Sequence, residues 1–92
     1  MLQKLSELIA ADANYKAVVK SVFDEPYKDK KTLLPLAGVD AETFDRLIEV
    51  LEEAMIVLAL TAQQDSSIES RVPKKVFLIN PEIEYDIEEL LT

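Results

Sequence analysis

Seven basic side chains are placed where they could meet an anion: Lys28, Lys30 and Lys31 in one run, Arg46 alone, and Arg71, Lys74 and Lys75 in another. Ammonium and guanidinium groups suit contacts to phosphate or carboxylate. Each has a plainer reading. The first run reads as a solvated linker, because short charge runs usually do. Arg46 has Glu42 at i−4 and Glu49 at i+3, spacings that form surface pairs on a helix. Lys74 and Lys75 would protect the edge of a strand from pairing with another chain. Ten basic residues face eighteen acidic ones, a net charge of −8. Nucleic acid repels such a domain at long range, and local basic patches must overcome that.

Catalytic chemistry finds little to work with. Histidine and cysteine are both absent, which removes the commonest general base, the commonest zinc ligand and any thiol nucleophile. One glycine in the chain cannot build a phosphate-binding loop. Asp65–Glu69 lacks the glycine and ligand spacing of a calcium loop. Ser66, Ser67 and Ser70 offer hydroxyls for phosphorylation, and exposed loop serines are the bland expectation. No enzyme activity, cofactor, metal or small-molecule ligand is expected.

These side chains are carried by elements organised around Thr32–Leu60. Thr32 suits an N-cap, Pro35 the first turn of a short helix, and Gly38 the left-handed residue that ends it. Asp40 then caps a longer helix, with Glu42 in its first turn. Phe44, Leu47, Ile48, Leu51 and Met55 recur on one face of that helix. Two helices joined by a short glycine-containing turn make a helix-turn-helix. The apolar run Ile56–Leu60 that follows predicts a buried strand.

Before this stretch, Leu2, Leu5, Leu8 and Ile9 predict an amphipathic helix over 1–11, with Asp12 and Asn14 as boundary and cap. A second helix over 12–24 carries Tyr15, Val18, Val19, Val22 and Phe23, and stops before Pro26. The segment 24–31 reads as a loop. The two helices of the central stretch take 32–38 and 40–54. A hairpin over 56–80 pairs 56–62 with 74–79 across a polar loop, and Pro73 suits the start of an edge strand. In the acidic tail 81–92, Ile83, Tyr85 and Ile87 alternate with acids and predict an extended segment, with Leu90 and Leu91 in a final helical turn. The whole is one domain. No apolar run approaches the ~20 residues of a membrane helix, the N-terminus has no signal-peptide pattern, and a cytoplasmic location is expected.

From Tyr15 to Asn80 this order resembles the winged-helix superfamily, on Leu36-Ala37, Gly38-Val39, Phe44, Leu47, Leu51 and Ile56. The resemblance implies an α+β, mainly α fold: a winged helix-turn-helix with an extra N-terminal helix and a C-terminal hairpin wing. Two features depart from the pattern. Met55 stands where such domains commonly have glycine, and a left-handed methionine would cost about 1 kcal/mol or more, which favours a different helix end. The solvent face of the third helix shows Glu42, Asp45, Glu49, Glu52 and Glu53 with one base, Arg46, whereas DNA-reading helices carry basic and amide side chains.

The expected function is therefore a protein-interaction or oligomerisation module with an acidic third helix. Leu2, Leu5, Leu8, Ile9, Ile83, Tyr85, Ile87, Leu90 and Leu91 are its candidate interface, homodimeric in the simplest case; the competing reading is that both termini cap the core. The alternative function is a DNA-binding regulator that uses the wing and early-loop basic residues with Arg46.

Overall fold

The computed structural model describes residues 2–62 and 74–91, with the side chains of Leu2, Ala62 and Lys74 outside the description. The polar loop, with Arg71 and Pro73, lies outside the described residues. The fold is α+β and mainly helical: α1 (Leu2–Ala11), α2 (Asn14–Asp24), β1 (Lys28–Asp29), α3 (Lys30–Ala37), α4 (Ala41–Glu53), β2 (Val57–Ala62), β3 (Lys74–Ile79) and α5 (Glu84–Leu91). Three antiparallel strands form one sheet in the order β1-β3-β2.

The helical stripes meet in a single core. Val18, Val19 and Val22 of α2, Leu33 of α3, Phe44, Leu47 and Leu51 of α4, and Val57 and Phe77 of the sheet are all buried in it. Phe44 and Phe77 meet edge to face, centroids 6.0 Å apart, the arrangement their ring quadrupoles favour. This contact fixes α4 against the central strand.

Helix boundaries follow caps, some unexpected. Asp12, not Asn14, supplies the side chain before α2, its Oδ1 accepting from Asn14 N–H at 2.9 Å. Asp29, not Thr32, is the N-cap of α3; its Oδ1 accepts from Thr32 N–H at 3.0 Å. The helix therefore starts at Lys30, and Pro35 falls in its second turn, where it deprives the carbonyl of exposed Lys31 of a partner. Gly38 takes φ 70 and closes α3, as expected.

Met55 also takes the left-handed conformation, with φ 62, so the expected avoidance does not occur. Its N–H donates to Glu52 O and the Ile56 N–H to Leu51 O, both at 3.0 Å. That pair of bonds is the Schellman closure, and buried Leu51 and Ile56 are the apolar pair that accompanies it. The methionine stays 52 % exposed.

Further differences concern segments read locally. Residues 24–31 are not all loop: Lys28 and Asp29 pair with Phe77 and Val76, and left-handed Tyr27 (φ 63) donates its N–H to Phe77 O at 2.8 Å. The strand bearing Lys74 and Lys75 is the middle one, but β1 reaches only Val76 and Phe77, so Lys74 and Lys75 pair with β2 alone. Finally, 84–91 is helical and not extended. Ile83, Ile87 and Leu90 satisfy a helical stripe as well as an alternation, and Asn80 decides between them. Its side-chain oxygen accepts from Glu82 N–H and its carbonyl from Ile83 N–H, both at 3.0 Å, which starts the turn. Glu84 and Asp86 in the first turn then favour the helix dipole.

Candidate interaction surface on the acidic helix

α4 buries Phe44, Leu47, Ile48 and Leu51 and turns its charges outward. Glu42, Asp45, Arg46, Glu49 and Glu53 are exposed, and Glu52 is half-buried. Asp40 is the N-cap residue, with extended backbone and its carbonyl accepting from Phe44 N–H at 2.9 Å. The Thr43 hydroxyl beside it holds the Asp40 carboxyl below the usual carboxylate range; desolvation opposes this, and the backbone N–H groups of Asp40 and Thr43 and, last, the Arg46 charge add to it.

Two acids of this face are matched by lysines from other elements. Lys30, at the start of α3, places Nζ 2.7 Å from Asp45 Oδ2. Lys75, on β3, places Nζ 3.1 Å from Glu52 Oε1 and lies 5.4 Å above the Phe77 ring. Glu49 lies between these pairs along a groove of about 360 Å³ that is floored by Ile48 and Phe77. The groove is thus zwitterionic at its walls and apolar at its base. Each pair joins an exposed side chain to a half-buried one and stays open to solvent, so each contributes little to stability. Their consequence is electrostatic: they reduce the positive potential that Lys30 and Lys75 could present.

The candidate basic residues are accordingly divided. Lys30 and Lys75 converge on α4, where acids meet them. Lys28 and Lys31 are exposed on β1 and α3. Arg46 is exposed on α4 and, among the described ion pairs, forms neither the bond to Glu42 nor that to Glu49 that its spacing allows. Lys74 opens β3, and Arg71 lies outside the described residues.

The apolar candidates are divided too. Leu5 and Ile87 are fully buried, Ile83 nearly so, and Leu8, Ile9, Leu90 and Leu91 pack against the same core. Burial inside the same chain takes Leu5, Ile83 and Ile87 out of any exposed interface, and follows the competing reading in which the termini cap the core. Of the set, among the residues whose side chains are described, Tyr85 alone is well exposed, at 72 %. Sequence reasoning missed the Lys30–Asp45 and Lys75–Glu52 pairs. They join residues 15 and 23 positions apart, and only the excess of acid on α4 signalled that lysines from elsewhere would be drawn to it.

Comparison with known protein families, curated proteins and solved structures finds no match for the chain. Among the described residues, no helix is long and apolar enough to cross a membrane.

Proposed function

We propose that this chain is a non-enzymatic protein-interaction module of the cytoplasm, built on a winged-helix scaffold with α4 as its third helix. The scaffold reading is supported by the run α2, β1, α3, α4, β2, β3 and by a sheet whose central strand is the last one. The observation that carries the functional reading is the engagement of Lys30 by Asp45 and of Lys75 by Glu52. A duplex approaching α4 would meet exposed Glu42, Glu49 and Glu53 while the nearest lysines are already matched. That juxtaposition opposes the phosphate contacts from which DNA affinity derives.

The DNA-binding alternative retains one point in its favour, the exposure of Lys28, Lys31 and Arg46. A fluorescence anisotropy titration of a labelled duplex separates the two. At about 50 mM salt, where electrostatic attraction is strong, no saturable binding is expected. Binding that falls steeply with salt, and whose salt slope flattens in Lys74→Ala/Lys75→Ala, would instead establish the alternative.

A further inference from the structure

We infer that the free edge of β2 is a self-association surface, on which a second copy of this chain adds its own β2 in antiparallel pairing. This names a surface and a partner for the interaction reading above. The two edges of the sheet differ in kind. β1 is two residues long and both are charged, Lys28 and Asp29, which are devices that blunt an edge. β2 is six residues long, VLALTA, with no charge and no proline. Among the described residues, its backbone bonds run to β3 alone, and no turn or side-chain bond reaches its other edge. Long, uncharged and unpaired edges are templates for another strand.

The outward face of the sheet extends the argument. Leu58 is registered with Leu78, and Leu60 with Val76. Cross-strand partners share a face, and alternation puts these four opposite to core residues Val57, Phe77 and Ile79. Leu78 is screened in a cleft of about 120 Å³ with Pro26 and Tyr27. Leu58 and Val76 are half-buried and Leu60 is 45 % exposed, so the open part of the apolar face adjoins the free edge.

The occupant follows from charge and symmetry. The chain carries a net charge of −8, so two copies repel over most of their surface. Along β2 they bring no charge together. Antiparallel pairing about a two-fold axis normal to the sheet is self-complementary, and it sets Leu58 and Leu60 of both copies on one face. A foreign strand would find no charge or pocket on β2 to select it. Val57 is buried whereas Leu60 and Thr61 are exposed, which sets the crossing near Leu60. A strand pair alone buries less than the about 800 Å² per partner of a standard stable interface, so the dimer is weak and reversible.

The absence of cysteine makes the test direct. Sedimentation of the full chain up to about 1 mM, the weak end of specific association, should show mass rising toward a dimer. Leu60→Lys should weaken that association at least tenfold while circular dichroism shows a folded protein. In parallel, Leu60→Cys should oxidise readily to a disulfide dimer, because residues facing each other across antiparallel strands have Cα atoms about 4.5–5.5 Å apart, within disulfide reach. Leu36→Cys, at a somewhat more exposed position on α3, should not. A monomer at every concentration, including one whose edge accepts only a foreign extended peptide, overturns the inference. So does a dimer that survives Leu60→Lys with both cysteines cross-linking alike. A monomeric result leaves the DNA titration to judge the interaction reading, and duplex binding leaves the dimer untouched.

Discussion

The Asn80 amide donates through Nδ2 to the carbonyl oxygen of Met55 at 2.8 Å, across 25 residues of sequence. The Asn80 backbone N–H donates to Ile56 O at 3.0 Å. Together these bonds clamp the left-handed turn at the end of α4 to the end of β3. They explain why a residue with a Cβ holds a conformation that suits glycine: the tertiary clamp outweighs the local strain.

Met55→Gly should therefore stabilise the protein. The left-handed conformation costs a residue with a Cβ about 1–2 kcal/mol, and the extra freedom of glycine in the unfolded chain offsets about 0.4–1 kcal/mol of the gain. A net rise of about 0.5–1 kcal/mol corresponds to an increase of several degrees in Tm for a domain of this size. Met55→Ala keeps the Cβ and should show no comparable gain. Thermal denaturation of the three proteins checks this, and a glycine variant that melts below the wild type would refute the strain argument.

Gly38→Ala should act in the opposite direction. At φ 70 an added Cβ meets no atom within 4 Å, so the loss is backbone strain alone, about 1 kcal/mol. Urea unfolding should give a lower midpoint with an unchanged m-value. An unchanged midpoint would show that the turn between α3 and α4 relaxes without cost.

Asn80→Ala is expected to cost about 1–2 kcal/mol, because it leaves the Met55 carbonyl and the Glu82 N–H without their partners at a part-buried site. Hydrogen exchange should show faster opening at Ile56 and Glu82 than at Leu47. Uniform acceleration over the chain would mean that Asn80 supports the fold globally and not this junction.

These residues also show what the sequence made legible. The stripe Phe44, Leu47, Ile48 and Leu51 gave α4, Gly38 gave the turn, and Asn80–Pro81 gave the end of β3, since each rests on chemistry within a few positions. β1 was invisible, because two residues carry no period and their pairing comes from Phe77 and Val76 far along the chain. The tail was misread because Ile83 and Ile87 fit periods of both two and four. The pairing of Lys30 with Asp45 was out of reach for the same reason as the Met55 clamp, which joins groups distant in sequence. So the acid-rich face of α4 was readable and the origin of its counter-charges was not.

The acid dependence of stability should contain a contribution from Asp40. Its carboxyl is held below the usual range, first by the Thr43 hydroxyl. A carboxylate whose folded pKa is depressed stabilises the fold above its unfolded pKa. That contribution is lost as pH falls through the folded value, here below about pH 4. Asp40→Asn keeps a good N-cap residue but not the charge, so stability near pH 7 should fall by that small contribution, and the loss below about pH 4 should become shallower. Thr43→Val should raise the Asp40 pKa in a carboxyl-carbon NMR titration, because it removes the largest cause. Arg46→Gln should raise it less, since that charge acts more weakly. If Arg46→Gln moved the pKa further than Thr43→Val, the charge would dominate over the hydroxyl. Arg46 would then be committed to its own helix terminus and unavailable to a partner.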